Sequence, residues 1–168
     1  MKTISEHQWH PRLADPSGRR QAKPRTSGLT MVIDKGLGMR AFEDLLETAG
    51  EHIDMVKIGF GTSPLYPLDL LRAKIELAKE NDICIYPGGT FLEVAIVQGA
   101  VDEYFAMVSD LGFNGIEVSD GTISMDRSLR SRMIERGIKE GKTVVTEYGK
   151  KNWNSAVELT EFLETMER

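Results

Sequence analysis

Short runs of consecutive apolar residues alternate along this chain with longer stretches whose apolar positions recur every three or four residues. The short runs are Thr30-Met31-Val32-Ile33-Asp34-Lys35-Gly36, Asp54-Met55-Val56-Lys57-Ile58-Gly59, Ile83-Cys84-Ile85-Tyr86-Pro87-Gly88-Gly89, Gly115-Ile116-Glu117-Val118-Ser119-Asp120-Gly121 and Thr143-Val144-Val145-Thr146-Glu147-Tyr148-Gly149-Lys150-Lys151. Each reads as a strand covered on both faces, the pattern of a parallel sheet. Between them, 40–52, 67–81, 91–111, 126–140 and 154–167 predict helices that pack one face inward, with Leu70, Leu71, Ile75 and Ala78 as a typical set. Leu111-Gly112-Phe113 and Glu140-Gly141-Lys142 look like helix ends leading straight into the next strand. The result is a βα unit repeated five times from Leu29 onward, which implies parallel strands joined by right-handed crossovers.

An open doubly wound sheet and a (β/α)8 TIM-barrel type of fold both accommodate this string. The ionisable residues favour the barrel, because they collect at the ends of all five strands rather than at one switch point. A closed barrel needs eight units and usually about 250 residues. The 168 residues here hold about five units, so the expectation is a partial barrel over 29–168. Residues 1–28 are polar, with Pro11, Pro16 and Pro24, and predict an extended N-terminal arm.

Bulk composition narrows the partners. A net charge of −5 argues against nucleic acid or an anionic membrane, despite Arg19, Arg20, Lys23 and Arg25 in the arm. No apolar run approaches a membrane span and no signal-like segment opens the chain, so a cytoplasmic protein is expected, and a homo-oligomer. The lone Cys84, inside an apolar run, reads as an inert thiol. His7, His10 and His52 lack metal-ligand spacing, which argues against zinc hydrolysis, and Trp9 and Trp153 read as packing residues.

The strand ends carry the chemistry. Asp34, Glu117, Asp120 and Glu147 are oxygen donors suited to one Mg²⁺, although any one of them is as well explained by a helix cap or a lysine partner. Lys35, Lys57, Lys150 and Lys151 are candidates for binding anionic groups or transferring a proton. Lys57 stands out because it interrupts an apolar strand; alternation points it into the interior, with Asp34, Glu117 or a ligand as its partner. Tyr86, Gly88, Gly89, Ser119 and Lys150 are candidate substrate contacts, since glycines beside hydroxyls let backbone N–H groups approach an anion. The Gly-x-Gly at Gly59 to Gly61 lacks the spacing of a dinucleotide fingerprint.

Together the five strings resemble the phosphosulfolactate synthase family over roughly residues 24–151. The resemblance implies a (β/α)8 barrel that uses Mg²⁺ to add sulfite to phosphoenolpyruvate, giving (2R)-3-sulfolactate phosphate. It implies Lys151 as the acid that protonates the product carbon, with Lys35 and Lys57 balancing the phosphate, carboxylate or sulfite. The family's barrel carries three further βα units, so the expectation here is a chain that keeps the metal and acid set but lacks the phosphate grip of the later loops. A non-catalytic relative, an inert fragment, or another lyase acting on a phosphorylated enol are the alternatives.

Overall fold

The computed structural model describes residues 10–13, 20–151, 160 and 163. Among them are five strands: β1 Met31–Asp34, β2 Met55–Ile58, β3 Cys84–Pro87, β4 Gly115–Ser119 and β5 Thr143–Glu147. The helices are α1 Met39–Ala49, α2 Leu68–Glu80, α3 Thr90–Gln98, α4 Val101–Leu111 and α5 Arg127–Lys139. The helix expected over 154–167 lies outside the described residues apart from positions 160 and 163, and Trp9 and Trp153 lie outside them too.

All strand pairs are parallel and run in chain order. β1 pairs with β2 and β2 with β3, with Ile33, Lys57 and Tyr86 in register across the three. β4 pairs with β5, placing Glu117 beside Val145 and Ser119 beside Glu147. The two ladders meet through Asn114, whose side chain accepts from the Ile85 N–H at 2.7 Å and donates to the Ile83 carbonyl at 3.1 Å. A strand order without reversal is the order of a TIM-barrel-like fold and leaves no switch point.

Alternation along the strands separates two layers. Val56, Ile58, Ile85, Ile116 and Val118 bury against Phe42, Leu46, Leu71, Ile75, Leu92, Phe105, Val108 and Met133 in one helix-facing core. Burying each large side chain contributes roughly 2 kcal/mol, enough to hold the helices on one side. The other layer carries Lys57, Tyr86, Glu117 and Glu147, while Met31 and Ile33 of β1 stay 43% and 47% exposed. The run 91–111 is not one helix. Gly99 adopts φ 68°, a left-handed conformation that ends α3, and α4 restarts at Val101. That break lets α3 lie along β4 while α4 packs back against both α3 and α2.

Residues 20–30 form no helix or strand, yet their cations are anchored. Arg20 and Arg25 grip the buried Asp54, at 3.2 and 2.8 Å, and the Lys23 ammonium donates to the carbonyls of Gly50 and Asn81. Arg20, Lys23 and Arg25 of the basic arm cluster are thus spent on the N-terminal end of the strands, and Arg19 lies outside the described residues. No helix among the described residues is long and apolar enough to cross a membrane.

Candidate active site

The candidate site forms at the C-terminal ends of β2 to β5, on the layer away from the helices. Lys57 is its centre. Its ammonium lies 2.8 Å from the Glu117 carboxylate on β4 and 3.3 Å from Glu147 Oε2 on β5. Burial works to lower the Lys57 pKa, but the hydrogen bonds and charges of Glu117 and Glu147 outweigh it and hold the ammonium above its ordinary value. Tyr86 sits beside Lys57 in register and is fully buried. Burial, reinforced by the charges of Glu117 and Glu147, raises its phenol, so the hydroxyl keeps its proton.

Three consecutive residues after β3 close around this centre. A methyl group on Gly88 would stand 3.2 Å from Cε of Lys57, so the backbone packs directly on the lysine stem. The Gly89 N–H donates to Glu117 Oε2. Thr90 Oγ1 accepts from the Lys151 ammonium at 2.7 Å. Lys151 is exposed, and no carboxylate among the described residues pairs with it. Lys35 is also exposed at the mouth, with its stem near Gly59.

The four carboxylates proposed from sequence do not converge. Asp34 points to the helix layer, where it accepts from Lys74, from the Tyr66 hydroxyl at 2.9 Å, and from the N–H groups of Gly36 and Leu37. Burial would raise its pKa, but Lys74 and these donors hold it below the usual carboxylate range. Lys57 therefore has Glu117 and Glu147 for partners and not Asp34. Asp120 Oδ1 lies 2.9 Å from Arg130 of α5, and Lys150 donates to the carbonyls of Asp120 and Ile123 at 2.7 and 2.6 Å. Lys150 thereby fastens the segment after β4 to the end of β5. Ser119 turns its hydroxyl to Glu93 rather than to the mouth.

Among the described residues no group of three or more His, Cys, Asp or Glu side chains is arranged to hold a metal ion. Glu117 and Glu147 nevertheless fit the mode in which Mg²⁺ takes one or two carboxylates and completes its shell with water and substrate oxygens. Asp34 turns to Lys74 in the helix layer and Asp120 to Arg130 of α5, so neither joins Glu117 and Glu147 in one donor set. Cys84 is half-buried with its thiol pushed up by burial, and the geometry gives it no part in the site.

Two fully buried charges escaped the sequence reading. Lys74 is fully buried on α2, donating to Asp34, to the Leu37 carbonyl at 2.6 Å and to Tyr66 at 2.9 Å. Glu93 is fully buried on α3, receiving four hydrogen bonds from Ser119, Gly121 and Thr122. Both left a faint signal: Lys74 falls at the spacing of Leu71, Ile75 and Ala78, and Glu93 is the only charge in Phe91 to Val97.

A parallel-strand α/β domain with lysines and acids gathered at the strand C-termini has the design of a TIM-barrel-like enzyme. The solved structure of CpGH84B shares the fold at a TM-score of 0.51 and 16% identity, over 71% of this chain and 27% of that one. The family model of (2R)-phospho-3-sulfolactate synthase (ComA) matches residues 18–168. A phosphosulfolactate synthase of Methanothermobacter thermautotrophicus is 40% identical over 133 residues, and one of Methanocaldococcus jannaschii 41%, each across 79% of this chain. The chain belongs to the phosphosulfolactate synthase family. It spans about half the length of these relatives, 52% and 53%.

Proposed function

We propose that this chain carries the acid–base and carboxylate-binding part of a phosphosulfolactate synthase, joining sulfite to phosphoenolpyruvate. On this reading its five βα units are the first five of an eight-unit barrel. The sulfite sulfur bonds to the methylene carbon of the enol phosphate and the carbon–carbon π bond opens. Its electrons pass through the adjacent carbon onto the carboxylate, and a proton then goes to that carbon to give (2R)-3-sulfolactate phosphate. Lys57, fixed as an ammonium by Glu117 and Glu147, faces the developing carboxylate charge and stabilises it where it forms. Lys151 delivers the proton; it reaches over the site from beyond β5, and among the described residues its ammonium donates to the Thr90 hydroxyl and pairs with no carboxylate. Lys35, exposed at the rim, attracts the anionic substrates. Glu117 and Glu147 would hold Mg²⁺, which would supply Lewis-acid polarisation of the same carboxylate.

The observation that carries the reading is the contact of Gly88, Gly89 and Thr90 with Lys57, Glu117 and Lys151 in turn. It makes the candidate acid and the candidate electrostatic clamp two sides of one loop. The test follows phosphoenolpyruvate loss with sulfite and Mg²⁺ in the intact chain and in Lys151→Ala. Turnover that falls at least about 100-fold in the variant is the expected result. Equal turnover in both proteins removes Lys151 from the chemistry, and no turnover from cooperatively folding protein removes the synthase reading for this chain.

A further inference from the structure

Glu93 is a fully buried carboxylate without a cationic partner among the described residues. An isolated buried charge is costly unless hydrogen bonds replace its water. Here four do. One oxygen accepts from the Ser119 hydroxyl and the Gly121 N–H, the other from the Thr122 N–H at 2.7 Å and the Thr122 hydroxyl. Every donor belongs to the last residue of β4 or to the segment leaving it, whereas Glu93 belongs to the first turns of α3. The carboxylate is therefore a clamp between two strand-end loops.

Lys151 rests on both clamped parts. Its backbone N–H donates to the Gly121 carbonyl at 3.0 Å, and its ammonium donates to Thr90 Oγ1 at 2.7 Å. Its stem lies across Gly121 so closely that a methyl group there would meet Cε at 2.8 Å and Cγ at 3.0 Å. Gly121 is the floor beneath the lysine and Thr90 the stop at its tip. The distance between floor and stop is set by Glu93, which holds the first and shares a helix with the second.

We infer that Glu93 is the positioning residue for Lys151, fixing where its ammonium stands over the site. This rests on the proposed role of Lys151 as proton donor for its consequence in turnover, but not for the geometry itself. A glutamine at 93 keeps the shape yet turns an NH₂ group toward donors that need an acceptor, so the segment after β4 moves and the lysine floor moves with it.

The test separates position from catalysis. Lysines of the intact chain are reductively methylated with ¹³C-formaldehyde and their methyl signals recorded, Lys151 being assigned by its loss in Lys151→Arg. Glu93→Gln, folded by the criterion of cooperative thermal unfolding, is expected to shift the Lys151 signal while leaving that of Lys57 in place. Thr122→Val, which removes a single donor, is expected to shift it in the same direction and decides the matter should Glu93→Gln not fold. In turnover, Glu93→Gln lowers kcat about 10- to 100-fold with KM for phosphoenolpyruvate changed less than about two-fold. It adds no further loss to Lys151→Ala, as coupled residues require. An unmoved Lys151 signal in either folded variant overturns the inference, as does an undiminished effect of Glu93→Gln in the Lys151→Ala background. Absence of turnover in the unsubstituted chain sinks the synthase reading alone, since the methyl signals report the position of Lys151 without it.

Discussion

At the scale of single residues, the site depends on how closely backbone approaches side chain. Gly89 has ordinary helical dihedrals, φ −58° and ψ −29°, so its conformation does not call for glycine. Space does. A methyl group there would stand 2.4 Å from Ser119 Oγ and 3.0 Å from Glu117 Oε2. Gly89→Ala is therefore expected to cost about 1–3 kcal/mol in urea unfolding and to lower turnover by displacing Glu117 from Lys57. An alanine variant of unchanged stability and rate would show that Ser119 and Glu117 yield freely. Sequence made Lys57 and Glu117 legible, because a charge inside an apolar run must find a partner across the sheet. It set Asp34 among the metal-binding acids of the mouth, which the contact with Lys74 overturns. Asp34 follows Ile33 at the very end of β1, and only the placement of Lys74 and Tyr66 beneath it shows that it faces the helices.

At the scale of elements, strands and helices were mostly legible from periodicity, and the exceptions are charges bonded between elements. The apolar stripe of α2 continues through Lys74, whose ammonium is buried over the rings of Phe42 and Tyr66 at 4.8 and 4.4 Å. A helical pattern records which positions face inward, not which strand waits to neutralise them. The single helix expected over 91–111 breaks for a different reason: periodicity does not record that Gly99 takes a left-handed conformation and ends α3. Glu93 gives the element scale its pH dependence. Burial acts to raise its pKa, but the bonds from Ser119, Thr122 and Gly121 prevail and lower it. A depressed native value contributes stability that is complete above the unfolded glutamate pKa of about 4.3 and is lost as pH falls through the native value. The stability advantage of the natural chain over Glu93→Gln in urea unfolding should thus be full at pH 7 and shrink on acidification below about pH 4.3. A difference that stays constant down to pH 2 would mean that the native fold does not lower the Glu93 pKa.

At the scale of the whole molecule, the two ends of the strands have divided their work. The C-terminal ends hold Lys57, Glu117, Glu147 and Lys151, whereas the N-terminal ends hold Asp54, which accepts from Arg20, Arg25 and the Thr30 N–H at 3.2, 2.8 and 2.8 Å. Residues at that second end bear on stability in barrels of this design, since chemistry is confined to the first. Asp54 and the Arg25 side chain are both almost fully enclosed, 7% and 3% exposed, so removing one strands the other. Asp54→Ala is expected to cost about 3 kcal/mol, because an unpaired buried guanidinium remains. The loss should also release the segment 20–30, seen as faster amide exchange at Thr30 and faster proteolysis near Arg25. Turnover per folded molecule should stay within about two-fold of the unsubstituted chain, because no group that touches the proposed substrates has moved. A variant that is as stable as its parent would show the arm to be a loose appendage. One that stays folded but loses turnover would show that the two ends are coupled through β2, which runs only from Met55 to Ile58 and carries Lys57 between them.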